Sequence, residues 1–332
     1  DRAAAKAKAD ELAAELRRFA STRTVRLTLG ALFDKYLQEV TPTKTVTTQG
    51  HDRRSVRLFL TVFGADQPAA ELSRRDLERF VQWRRTTGDT RSGARKGQRI
   101  GPRVIGYDLA LLRAMLSWAV GAKWLDRHPL DGVKVPLGAH TPNSPVLSLE
   151  HYEAMRSVAA SIDPGFELAL ILARETGHRI NAIRQLRWSD VDFTARSVQW
   201  AGGHDKLRFA HATPLTPAAL AALEAHQQAT AAIGNAWVFP APGDATTPVS
   251  RDQVRGWWQR GELLARIPPH PGRGWHSLRR AFATDLKHIP LVDLAALGGW
   301  KSAQTILKCY QKPDADTMEA ALASRSSRAA LG

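Results

Sequence analysis

Apolar residues recur at three- and four-residue steps along most of this chain, the period of amphipathic helices. Leu29, Leu32, Phe33, Tyr36, Leu37 and Val40 form one such face, and Val56, Phe59, Leu60 and Phe63 a second. Ser73 is placed to cap a third helix carrying Leu77, Phe80 and Val81. Pro102 opens a fourth, with Ile105, Leu109, Leu112, Leu116 and Ala119 on one side. Four such helices can enclose a small core, so residues 26–131 are expected to form a helical domain. Before it, residues 1–25 show only a thin stripe, Leu12, Leu16 and Phe19, and read as a helical stub.

Residues 132–146 hold Gly132, Pro136, Gly138, Pro142 and Pro145, the composition of a linker. A second domain, 147–332, is expected to follow. Ser148 is placed to cap a helix carrying Tyr152 and Met155. Residues 164–176 read as a central apolar helix stopped by Gly177, and Ile180, Ile183 and Leu186 mark a helix opening at Arg179. Three short strands are expected at Trp188–Phe193, Ser197–Ala201 and Leu207–Leu215, the last two joined by a Gly202-Gly203-His204-Asp205 turn. Helices are then expected over 217–228 and 249–267, and from His276, where Leu278, Phe282 and Leu286 would be buried. Ser302 is placed to cap a short helix on which Ile306 and Tyr310 share a side. The fold class is therefore mainly α with a small antiparallel sheet.

Composition adds a partner. The 332 residues contain 47 Lys+Arg against 32 Asp+Glu, a net charge of +15. That surplus points to a polyanion, most often nucleic acid, with a compositional bias as the bland alternative. A basic, Gly-rich stretch between the third and fourth helices carries Arg91, Arg95, Lys96, Arg99 and Arg103 against one acid, Asp89. It is either a solvated loop or a segment that tracks phosphates. The helix over 249–267 sets Arg251 and Arg255 among Trp257 and Trp258, for packing or for laying against DNA. The single cysteine, Cys309, excludes an internal disulfide and reads as a small buried group. A reducing, cytoplasmic setting fits. No signal peptide or membrane-length apolar run is expected, nor a cofactor or metal. Asp190 and Asp192 lack a third ligand, and His204, His211, His270 and His288 match no metal-ligand spacing.

The chemistry gathers on His276-Ser277-Leu278-Arg279-Arg280, followed by Gly298-Gly299-Trp300 and Tyr310. Arg279 offers a planar fork of donors to a phosphate, with His276 on the same helical side. Upstream, Glu175-Thr176-Gly177-His178-Arg179 places a second arginine at a helix N-terminus, which favours an anion. A phenol delivered to a phosphate between cations is equipped for phosphoryl transfer through a tyrosine ester.

The pattern Thr176-Gly177-x-Arg179, His276-x-x-Arg279, Leu297-Gly298-Gly299-Trp300 and Tyr310, with Lys206 between the first two groups, resembles the tyrosine recombinases, the phage-integrase family. The resemblance implies a helical core DNA-binding domain joined to an α+β catalytic domain, clamping double-stranded DNA. It implies Tyr310 as nucleophile, Arg179 and Arg279 as the phosphate clamp, and His276 as acid–base partner or phosphate donor. It also implies Lys206 as the proton donor to the leaving oxygen, with Arg208 as runner-up. Trp300 stands where many members have a second histidine and would donate a hydrogen bond to phosphate. The implied product is a 3′-phosphotyrosine with a free 5′-hydroxyl. Four protomers would act on two sites, coupled through the C-terminal segment after Tyr310. A type IB topoisomerase and a non-catalytic DNA-binding descendant are the rival readings. The chain departs from the family at Ala182, where an acid is usual, in the Gly-less Lys287–Pro290 segment, and by a residue more between Trp300 and Tyr310. With no acid at 182, Glu175 is the candidate to orient Arg179.

Overall fold

The computed structural model describes residues 6, 8, 11, 27–90, 96–138, 145–202, 210–311, 318, 319, 322 and 323. The chain divides into two compact units, Asp1–Thr141 and Pro142–Gly332. The expected stub thus lies almost wholly outside the described residues, as does the middle of the expected linker, residues 139–144.

In the first unit four helices surround one apolar core: α1 (Leu29–Glu39), α2 (Val46–Phe63), α3 (Arg74–Thr87) and α4 (Pro102–Gly121). Their expected faces are the buried ones, with Leu29, Leu32, Phe33, Phe59, Phe80, Leu112 and Leu116 fully enclosed. Ser73 and Asp76 form a reciprocal capping box that fixes the start of α3. By length and composition α4 is apolar enough to cross a membrane; here its apolar face fills the core of this unit against α1, α2 and α3. A buried polar cluster crosses the core. Asp108 accepts from Ser55 Oγ at 3.1 Å and from Arg84 Nε at 3.1 Å. Arg84 also donates to the Gly88 carbonyl at 3.0 Å, and Asp89 pairs with Gly97 and Gln98 through the backbone. The basic stretch is therefore closed at its base by main-chain bonds and by a buried arginine.

In the second unit α5 (Leu149–Ala159) is capped by Ser148, whose hydroxyl accepts from His151 N at 3.2 Å. The apolar α6 (Phe166–Glu175) runs through the core, and α7 (Ile180–Ile183) follows as a single turn. Strands β1 (Val191–Asp192), β2 (Ser197–Trp200) and β3 (His211–Pro214) form an antiparallel sheet in chain order, with Trp200 opposite His211. The expected strand over Trp188–Phe193 is shorter. Asp190 accepts from Arg187 N at 2.8 Å and winds Trp188–Asp190 into a 3₁₀ turn. Helix α8 (Pro217–Thr230) follows, then a hairpin with no counterpart in the sequence reading, β4 (Pro240–Ala241) and β5 (Asp244–Pro248). After α9 (Arg251–Leu264) come α10 (His276–Asp285), α11 (Leu291–Leu297) and α12 (Ala303–Cys309). These last three enclose a separate small core of Phe282, Ala283, Leu294, Trp300 and Ile306, against which Tyr310 packs. The Ser302 hydroxyl makes no capping bond; its carbonyl accepts from Thr305 N at 3.0 Å.

Candidate active site

Two turns and two helices build the site. Gly177 stops α6 with a φ of +65°, and a β-carbon there would lie 2.4 Å from the Phe282 ring, so only glycine lets the chain turn against α10. The turn delivers Arg179, half-buried, to the N-cap position of α7. On α10, Arg279 is 1% exposed. Its Nη1 donates to the Gly177 carbonyl at 2.5 Å and to the Gly298 carbonyl at 2.6 Å. Its guanidinium lies 3.7 Å from the Trp300 ring centroid and 5.5 Å from that of Tyr310. A buried guanidinium needs such partners, because desolvating the cation is costly. Arg279 is thus held from the rear by the two glycine-containing turns and flanked by aromatic rings.

Arg179 and Arg279, a hundred positions apart in sequence, line one small cavity with His178, His211, Ala182 and Gly299. Trp300 meets Tyr310 edge-on, at 5.2 Å and 71° between rings. The Trp300 indole N–H is buried with no hydrogen-bond partner among the described residues. An unsatisfied buried donor is costly, and this one, beside the Tyr310 ring, is able to donate to a ligand oxygen that reaches it. Around His276 the guanidiniums are close enough to act on it. His276 is among the exposed residues, yet desolvation first, then Arg279, Arg280 and Arg179, push its pKa down to about 4. The ring is therefore neutral at pH 7, able to accept a proton or to offer an N–H.

Of the expected site residues, the structure brings Arg179, His276, Arg279, Trp300 and Tyr310 together. Lys206 and its neighbour Arg208 lie outside the described residues, as do Arg91 and Arg95. Lys96 and Arg99 are exposed, and Arg103 donates to the Tyr107 hydroxyl at 3.1 and 3.0 Å on the solvent side of α4. Arg251 donates to Asn181 Oδ1 at 3.0 Å, an oxygen that Arg184 also engages at 3.1 Å. Arg255 instead pairs with Asp252 at 2.5 Å. Cys309 is exposed, against the expectation of burial, because α12 turns Ile306 and not Cys309 into the small core. Glu175 sits with Tyr152 and Arg174 along a different cavity from the one holding Arg179, and the usual acid position, Ala182, lines the arginine cavity itself. Sequence reasoning weighed His211 only as a metal ligand and set it aside, and gave His178 no role. Their only signal was two histidines flanking the sheet, one of them inside the Thr-Gly-x-Arg run.

The sequence profile of the phage integrase family matches residues 148–316, just over half of the chain. The chain belongs to that family. A Haemophilus influenzae protein named, provisionally, an integrase/recombinase is 24% identical over 287 residues, covering 84% of this chain and 85% of its own. The Tn1549 transposon integrase, solved in complex with a circular intermediate DNA, superposes with a TM-score of 0.72 at 16% identity. That match covers 90% of this chain and 99% of the other. A lambda integrase dimer bound to a COC′ core site gives 0.71 at 16% identity, with 90% and 82% covered. At such identities these two likenesses establish a shared fold.

Proposed function

We propose that this chain is a site-specific DNA recombinase that cuts and rejoins double-stranded DNA through Tyr310. The observation that carries the reading is the convergence of Arg179 and Arg279 on one cavity with the Tyr310 ring 5.5 Å from Arg279. A phosphodiester repels nucleophiles and gathers further charge on the way to its transition state, so fixed cations at its non-bridging oxygens lower the barrier. The two guanidiniums hold those oxygens, and the unpartnered Trp300 indole donates to one of them. The Tyr310 oxygen attacks phosphorus as its proton passes to a neutral acceptor, the role that His276 fits. The bond to the 5′-oxygen breaks, Lys206 supplies that oxygen with a proton, and a 3′-phosphotyrosine remains. Attack by the 5′-hydroxyl of a partner strand reverses these steps and reseals DNA without an external energy source. Arg251, Arg255, Lys96, Arg99, Arg103 and the neighbouring Arg91 and Arg95 bind backbone phosphates, so affinity falls steeply with salt. The first unit is the core DNA-binding domain and the second the catalytic domain. Four protomers, joined through the segment after Tyr310, act on two DNA sites in the cytoplasm.

The test is covalent capture. The full chain is incubated in EDTA with nicked duplexes of random sequence, denatured, and the DNA that stays attached is recovered and sequenced. An adduct is expected from the unaltered chain and none from Tyr310→Phe, which keeps its duplex binding in gel shift. An adduct from the Phe variant would remove Tyr310 as nucleophile, and dependence on a divalent ion would favour a metal nuclease. Relaxation of a supercoiled plasmid without joining of two sites would favour the topoisomerase reading.

A further inference from the structure

His178 and His211 belong to none of the roles above, yet they line the same cavity. His178 is 5% exposed and stacks on Trp200, with centroids 3.8 Å apart and planes within 8°. Its Nδ1 lies 3.0 Å from the Thr176 carbonyl and its Nε2 lies 2.8 Å from His211 Nε2. A carbonyl only accepts, so Nδ1 of His178 carries the proton. Burial, then Arg279 and His211, then Arg179, hold this imidazole well below its ordinary pKa, so it is neutral. Its Nε2 is then a bare acceptor, and the proton in the contact belongs to His211 Nε2. The pair is a directed bond between two segments 33 residues apart.

The surroundings give this bond a mechanical role. Gly299 has a φ of +64°, and a β-carbon on it would lie 2.5 Å from the His211 ring and 3.2 Å from His178 Nε2. Thr176 and Gly299 adjoin Gly177 and Gly298, whose carbonyls anchor Arg279. His211 opens β3, the strand that follows the segment containing Lys206, and Trp200 is bonded across the sheet to Thr213 Oγ1 at 2.7 Å. We propose that His178 and His211 are positioning residues, a hydrogen-bonded strut that sets the spacing of the two turns holding Arg279 and ties them to β3. The proposal rests on the recombinase reading.

The test combines substitution with a spectroscopic signature. Glutamine places an amide N–H where His211 Nε2 stands, whereas phenylalanine keeps the ring and removes the donor. With the covalently captured duplex, His211→Phe is expected to slow single-turnover adduct formation roughly ten- to hundredfold, the cost of a small misplacement of catalytic groups. His211→Gln is expected to recover most of that loss, with gel-shift affinity and melting temperature close to parent in both. In the full chain labelled with ¹⁵N-histidine, a through-bond nitrogen–nitrogen coupling between His178 and His211 is expected, and it vanishes in His211→Phe. Parent-like cleavage by His211→Phe, equal impairment of both variants, or no coupling in the parent would each overturn the strut. Failure of the unaltered chain to form any adduct would instead overturn the recombinase reading, and the strut's role with it.

Discussion

Arg279→Lys separates charge from geometry at the centre of the site. Lysine keeps the positive charge but brings one compact ammonium in place of a planar fork. It can reach one of the two carbonyls that Nη1 bridges at 2.5 and 2.6 Å, and it loses the flat stacking 3.7 Å over Trp300. A hydrogen bond to a charged group contributes about 1.5–3 kcal/mol. A desolvated cation–π contact adds about 1–2 kcal/mol. The expected destabilisation of the second unit is therefore about 2.5–5 kcal/mol, and for a domain of this size each kcal/mol lowers Tm by roughly 2–4 °C. Losing one well-placed donor at a phosphate oxygen should slow cleavage by about two to three orders of magnitude. Scanning calorimetry and single-turnover adduct formation measure the two effects on one preparation, and gel shift checks that DNA still binds. A lysine variant that melts with the parent and cleaves within about threefold of it would refute the argument that guanidinium geometry, beyond charge, organises this site.

Two further outcomes are expected. Because the His276 pKa is depressed to about 4 in the folded protein, the unfolded chain binds the extra proton first as pH falls. Stability contributed by neutral His276 is thus full above the ordinary value near ~6.5 and drains away as pH falls toward 4; denaturant titrations should show this slope, and His276→Gln should flatten it. Deleting residues 318–332 should weaken assembly on paired sites more than binding of one site. Analytical ultracentrifugation with one-site and two-site DNA compares the two, and equal loss would detach the tail from assembly.

What the sequence discloses and what it conceals divide along physical lines. The four helices of the first unit were readable because each buries a stripe of period 3.6, and Ser73 with Asp76 marks a boundary by local hydrogen bonding. The Trp188–Asp190 segment misled because apolar and polar residues alternate there, while the Asp190 carboxylate closes a turn three residues back. The β4–β5 hairpin lies mostly on the surface and carries no alternation to read. At the site, the chemistry of the side chains was legible and their support was not. Arg279 on an amphipathic helix looks like a surface cation, yet its acceptors come from positions 102 and 19 residues away. The His178–His211 bond was hidden for the same reason. Ring stacking and tautomer choice exist only once β3 is beside the Thr176–Arg179 turn.

The buried Arg84 in the first unit has a consequence for how this chain can vary. Because Arg84 grips the Gly88 carbonyl from inside the core while Asp89 closes on Gly97 and Gln98, the stretch from 90 to 96 begins and ends on fixed posts. The anchors at either end are main-chain groups and a buried side chain, so they do not depend on which side chains stand between them. Sequence change between the posts is thereby separated from the packing of the core.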